Sequence, residues 1–253
     1  MRVLVAGLAL GLTLGTGSLA GAPAYADRSD VLARTPAQPL AGRLVVLDPG
    51  HQLGNQNFPR QVGRPVPDGR GGRKPCNTTG TATNAGLPEA TFVWRVARLV
   101  QARLERLGAT VELTRSSNSL DEWGPCVDAR GRAGNRAKAD LELSIHADGS
   151  LKRGARGFHV IAAPDRGRAS VRLARETRDV LEHRGLRAAN YIAGGDGLDL
   201  RTDLATLNLS RVPTAMVELG NMRDRVDARR MTTGAGRAAY ATALTRAVLR
   251  YLG

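Results

Sequence analysis

Four side chains in this 253-residue chain pair a chemically useful residue type with a place beside a predicted strand or helix end. His51 follows Asp48, Pro49 and Gly50 after the apolar run Leu44 to Leu47, and His146 follows Ser144 and Ile145. Strand ends are where open α/β sheets place their ligands. Glu89 opens a helix-periodic stretch, where the positive end of the helix dipole favours a carboxylate. His51, Glu89 and His146 together would make a two-histidine, one-carboxylate set with a fourth position open for water, the ligand count and type of a catalytic zinc site. They are far apart in sequence and the compact helical zinc signature is absent, so spacing alone does not single them out. Glu218, in the apolar run Met216-Val217-Glu218-Leu219, is a carboxylate at the buried end of a sheet, where a charge is costly unless it has a partner. Two readings stand: an ion pair with one of the many arginines, or a general acid/base whose pKa is raised by burial.

Plainer readings exist for the others. His51 in a Pro-Gly turn also reads as a loop residue, and Glu89 as no more than a partner of the helix dipole. His146 is the strongest lone candidate, because a buried imidazole there needs its ring nitrogens satisfied. His159, in Gly157-Phe158-His159-Val160-Ile161, reads as solvent-facing or packed within a strand, and His183 as a surface residue in the last turn of a polar helix.

The elements that must position these residues follow from periodicity. The unbroken apolar run within Arg43 to Asp48 predicts a strand buried on both faces. Residues 52 to 87 are rich in Gly, Pro, Arg and Asn without period and read as a long loop insert, a feature that in a compact domain is usually functional or mobile. Pro88 then suits a helix start, and Phe92, Val96, Leu99, Val100, Leu104 and Leu107 recur at helical spacing up to a stop at Gly108. Further strands are predicted at Thr110–Thr114, Leu141–His146, Gly157–Ala163 and Thr214–Leu219. Helices are predicted at Val127–Lys138, Ala169–Arg184, Thr202–Leu209 and Arg237–Leu252. Strands alternating with helices predict an α/β fold, a single domain with a mixed, mostly parallel central sheet and helices on both faces.

Composition narrows the setting. Met1 and Arg2 precede an apolar run from Val3 to about Ala20, no further charge occurs before Asp27, and Ala24-Tyr25-Ala26 forms a small-x-small site. Residues 1–26 are therefore expected to be an export signal peptide, 27–42 a polar lead-in and 43–253 the functional domain. No later run is apolar enough to span a bilayer, so a soluble protein outside the cytoplasm is expected, periplasmic, wall-associated or secreted. In such a compartment the two cysteines, Cys76 and Cys126, are expected to pair. The formal charge of +14 raises the question of nucleic acid. Of the 37 basic residues only Lys74, Lys138 and Lys152 are lysine, the arginines are scattered, and at 4% aromatic content few stacking platforms exist, so nucleic acid is not expected as a partner. Attraction to an anionic cell wall accounts for the charge equally well, and a monomer is expected.

From residue 43 to 252 the chain resembles the zinc-dependent N-acetylmuramoyl-L-alanine amidases of the type 3 catalytic domain. Leu47-Asp48-Pro49-Gly50-His51 is similar to the family's first zinc-ligand motif. Glu89 at a helix head, with Leu107-Gly108 and Leu113-Thr114-Arg115 after it, is similar to its second. Ala139-Asp140-Leu141 leading to Ser144-Ile145-His146-Ala147-Asp148 is similar to its third, and Val212-Pro213 leading to Val217-Glu218 to the segment with the catalytic glutamate. The resemblance implies Zn2+ on His51, Glu89 and His146, Glu218 as general acid/base, and hydrolysis of the bond between N-acetylmuramic acid and L-alanine in peptidoglycan or muropeptides. Asp48 and Asp148, next to ligand motifs, are candidates to orient the imidazoles. Two other classes share these residues or this fold: another zinc peptidase of peptidoglycan stems, and a non-catalytic wall-binding regulator.

Overall fold

The computed structural model describes residues 38–253; the expected leader (1–26) and residues 27–37 of the lead-in lie outside the described residues. In chain order the strands are β1 (Leu44–Pro49), β2 (Pro65–Pro67), β3 (Arg73–Pro75), β4 (Thr110–Leu113), β5 (Leu141–Asp148), β6 (His159–Ala162), β7 (Leu198–Leu200) and β8 (Thr214–Asn221). The helices are α1 (Pro59–Gly63), α2 (Glu89–Arg106), α3 (Val127–Gly131), α4 (Ala133–Ala137), α5 (Arg168–His183), α6 (Ala205–Asn208), α7 (Arg225–Thr232) and α8 (Gly234–Leu252). Six strands form one sheet in the order β4-β1-β5-β8-β6-β7; β4, β1, β5 and β8 run parallel, and β6 meets β8 antiparallel. This is the expected mixed, mostly parallel α/β sheet.

The two faces of the sheet differ sharply in chemistry. Alternation along each strand sends Val45 and Leu47, Leu141, Leu143 and Ile145, Val160, and Ala215, Val217 and Leu219 to one side, where they pack against Phe92, Val96, Leu173, Leu181, Tyr240 and Leu244 of α2, α5 and α8. Phe92 and Tyr240 meet edge to face at 5.7 Å, an arrangement that adds about 1 kcal/mol to the burial itself. The opposite side carries Asp48, Glu142, Ser144, His146, Asp148, Glu218 and His159 in register. Here α4 touches Glu142 through Gly134, and α6 packs Leu207 on Ile161 and Met216.

Caps set the helix limits. α2 ends where Gly108 takes φ 96° and the Ala109 amide donates back to the Leu104 carbonyl, a glycine stop that leaves no Cβ in the left-handed region. The helix predicted over Val127–Lys138 divides at Arg132 into α3 and α4. β7 and α7 were not anticipated; α7 starts at Asp224, whose side chain accepts from the Val226 and Asp227 amides.

The 52–87 segment is built from small pieces: a 3-10 helix at Leu53–Asn57, then α1, then the antiparallel hairpin β2–β3. Their order comes from local polar bonds and a covalent tie. Asn55 donates to the Thr78 carbonyl at 2.6 Å, Asn77 to the Pro125 carbonyl at 2.8 Å, and Cys76 is bonded to Cys126.

Candidate metal centre

Because β1, β5 and β8 are parallel, their C-terminal ends lie along one edge, and the polar face there brings the sequence candidates together. His51 follows β1 at φ 55°, an uncommon backbone state for a residue with a Cβ and a mark of a constrained site. Its carbonyl and that of Pro49 accept from Arg130 at 2.6 and 2.9 Å, and Arg115 donates to Pro49 at 3.0 Å and to the Ala90 carbonyl at 2.8 Å. Two buried guanidiniums thus clamp the exit of β1 to the start of α2. Burial, with the neighbouring Arg130 charge, brings Arg115 down to about 9.

Close approach is permitted by glycines. A Cβ on Gly50 would run into the His146 ring, and one on Gly80 would stand 2.8 Å from Glu89 Oε2 and 2.9 Å from His51 Cδ2. His51 Nδ1 is 3.1 Å from the Thr78 carbonyl. A carbonyl only accepts, so Nδ1 carries a proton, and Nε2 is turned towards Glu89 Oε2 at 3.2 Å. His146 Nδ1 is 3.0 Å from Glu89 Oε1, and the two imidazoles meet edge to face with centroids 4.9 Å apart. One ligand atom from each of His51, Glu89 and His146 lies within 4.8 Å of the others. Two nitrogens and one carboxylate oxygen, with an imidazole oriented by a carbonyl behind it, suit a divalent metal that keeps a position open.

Glu89 is 3% exposed and also accepts from the Thr81 and Ala147 amides at 3.0 and 3.1 Å. Burial pushes its pKa up, but the adjacent His51 and His146 outweigh burial and hold the carboxyl well below the ordinary range. Glu218 goes the other way. Burial, then the Glu89 and Asp148 carboxylates, raise it well above its ordinary value, and its Oε2 is closed off from solvent without a hydrogen-bond partner. No ion pair to Glu218 exists among the described residues. His146 and Glu218 share one register position on β5 and β8.

These groups open onto a cleft of about 420 Å³ lined by Lys74 and residues 77–81 of the insert, by Leu204 to Thr206, and by Met216. The insert is therefore a wall of the site. Asp48 and Asp148 do not orient the imidazoles: buried Asp48 is taken by Arg130 and Thr114, each at 2.5 Å, and by Ser144 at 2.6 Å, while Asp148 accepts from Tyr191 at 2.9 Å. The Thr78 carbonyl does that work for His51, and no sequence pattern marks a backbone group. His183 is exposed on α5, whereas His159 is buried beside Glu218 on the site face of the sheet.

Known proteins place this arrangement. Residues 45–250 match the family model described as N-acetylmuramoyl-L-alanine amidase. An N-acetylmuramoyl-L-alanine amidase of Mycobacterium tuberculosis is 44% identical over 223 residues, covering 86% of this chain and 89% of its own. The crystal structure of an N-acetylmuramyl-L-alanine amidase from Mycobacterium smegmatis superposes with a TM-score of 0.80 at 40% identity, over 85% of this chain and 98% of that one. The apo form of the Mycobacterium abscessus amidase gives 0.79 at 42% identity, over 84% and 100%. The chain belongs to the N-acetylmuramoyl-L-alanine amidases, metal-dependent hydrolases of peptidoglycan.

Proposed function

We propose that the metal is zinc, held by His51, Glu89 and His146, and that Glu218 is the general acid/base for cleavage between the muramoyl lactyl carbonyl and L-alanine. The observation that carries this is the meeting of two imidazoles and one carboxylate within 4.8 Å, beside a carboxyl whose pKa is raised, at the floor of a cleft. When bound, zinc supplies a Lewis acid that polarises the scissile carbonyl and makes water a better nucleophile. Glu218 takes a proton from the attacking water as the new C–O bond forms. It then returns that proton to the alanine nitrogen as the C–N bond breaks. The cleft walls from the insert and from Leu204 to Thr206 are the surfaces the stem peptide would meet.

The disulfide and the family together suggest a place outside the cytoplasm, and residues 1–26 are read as the leader that takes the chain there. No helix among the described residues is long and apolar enough to cross a membrane. The +14 charge favours association with an anionic wall. The test is release of L-alanine-terminated peptide from a purified muramoyl peptide by metal-loaded protein, chelated protein and chelated protein given zinc. Activity that vanishes on chelation and returns with zinc is expected. Tight zinc binding with no cleavage of the muramoyl bond would overturn the reaction assigned.

A further inference from the structure

Glu218 has a neighbour on each side along its row of the sheet. His146 stands at the same register position on β5, and His159 at the same position on β6. Registered neighbours project to the same face with Cβ atoms about 5 Å apart. His146 is already engaged, its Nδ1 3.0 Å from Glu89. His159 is not: it is 3% exposed, and its Nδ1 is buried with no hydrogen-bond partner. The matching atom on the other side, Glu218 Oε2, is buried and equally without one.

An imidazole this buried is normally satisfied, and an exception calls for a reason. Tyr191 does not provide a partner. Its ring meets that of His159 edge-on at 6.4 Å, and its hydroxyl is spent on Asp148 at 2.9 Å. Burial also keeps the His159 pKa below its ordinary value despite the Asp148 and Asp199 carboxylates nearby. An uncharged ring has one N–H to give, and the raised, partnerless carboxyl beside it has an oxygen to receive it.

We infer that His159 is a positioning residue for Glu218, giving a ring N–H to the Glu218 carboxyl through one bridging water and so aiming its other oxygen at the cleft. The inference rests on the acid/base reading of Glu218. A carboxyl on a two-methylene side chain in a half-buried site has several rotamers, and a fixed partner behind it leaves one productive orientation. Misplacement on the scale of an ångström is enough to slow a proton transfer severely.

The experiment compares His159→Phe, which keeps shape without a donor, and His159→Gln, which keeps a donor, in wild-type and Glu218→Gln backgrounds. Zinc content and melting temperature are measured alongside. His159→Phe should lower kcat by about tenfold to a hundredfold, leave KM within about twofold and retain zinc, and His159→Gln should recover most of the rate. Added to Glu218→Gln, His159→Phe should cost nothing more, because the partner through which it acts is gone.

A second readout is independent of turnover. In the metal-free protein with labelled histidine, the His159 ring N–H should give a hydrogen-bonded proton resonance that Glu218→Gln shifts. Unchanged kcat in His159→Phe, a loss confined to KM, or equal losses in both backgrounds would overturn the inference. Near-normal activity of Glu218→Gln would instead sink the acid/base reading, and the resonance would then decide His159 by itself. Should His159→Phe fail to fold, the comparison of wild type with Glu218→Gln still decides: an unshifted resonance overturns the pairing.

Discussion

His146 and Glu218 occupy one register position on neighbouring parallel strands, so an imidazole of the metal centre and the carboxyl beside it leave the sheet on the same face. Glu218 offers no atom to the three-residue donor cluster. Glu218→Gln should therefore bind metal stoichiometrically while its rate falls by at least about a hundredfold, the lower end of the general acid/base range. Metal analysis beside single-turnover kinetics checks this, and loss of metal in the variant would make Glu218 a ligand instead.

Gly50 tests how tightly the first ligand loop is packed. A methyl group there meets the His146 ring, and the backbone cannot retreat because Arg115 and Arg130 hold the carbonyls on either side of it. Gly50→Ala should displace His146 and weaken metal affinity about tenfold to a hundredfold, as for other losses of ligand support. Competitive titration with a zinc indicator measures it. Gly63→Ala, with open space around its Cβ, is the control and should leave affinity unchanged.

Much of the scaffold was legible because buried periodicity dictates it. The runs that became β1, β5 and β8 and the spacing that became α2 and α5 reflect one apolar face, and they end within a few residues of where caps stop them. β7 is three residues with an aspartate in the middle and exists only through its pairing with β6. The segment 52–87 has no period because polar bonds and the Cys76–Cys126 link shape it. The ligand residues could be nominated but not assembled from spacing, since the register of β1 on β5 and the path of the insert bring them together. His159 shows the same limit. Alternation separates it from Phe158 and Val160, but only register with Glu218 reveals which face is the site.

The disulfide closes a loop between positions 50 apart. In the chain-entropy picture that is worth about 4 kcal/mol. Replacing both cysteines by serine should lower stability by about 2–4 kcal/mol, read from denaturant midpoints. Because the Thr78 carbonyl next to the bridge orients His51, the variant should also bind metal less tightly. Full stability with weakened metal binding would separate the bridge's local role from its global one.

Glu142 and Asp48 give stability opposite dependences on pH. Asp48, fully buried, is pushed up by burial, but Arg130, Ser144 and Thr114 prevail and bring it down to about 2. Its contribution is complete above the unfolded value of 3.8 and is lost as pH falls through about 2. Glu142 is also fully buried; Oε2 accepts from the Gly134 amide at 3.0 Å while Oε1 has no partner. Burial, then the Asp48 carboxylate, raises it to about 8 from 4.5. A carboxyl that is neutral when folded and ionised when unfolded favours the folded state fully below 4.5 and loses that contribution as pH rises through about 8. The Glu142 contribution should thus weaken steadily between these values. Glu142→Gln keeps the oxygen that accepts from Gly134 and has nothing to ionise. It should match wild type near pH 4.5 and exceed it by about 1–3 kcal/mol at pH 8. Urea unfolding of both proteins across this range measures the difference; a constant offset at every pH would show that packing, rather than ionisation, sets the cost of Glu142.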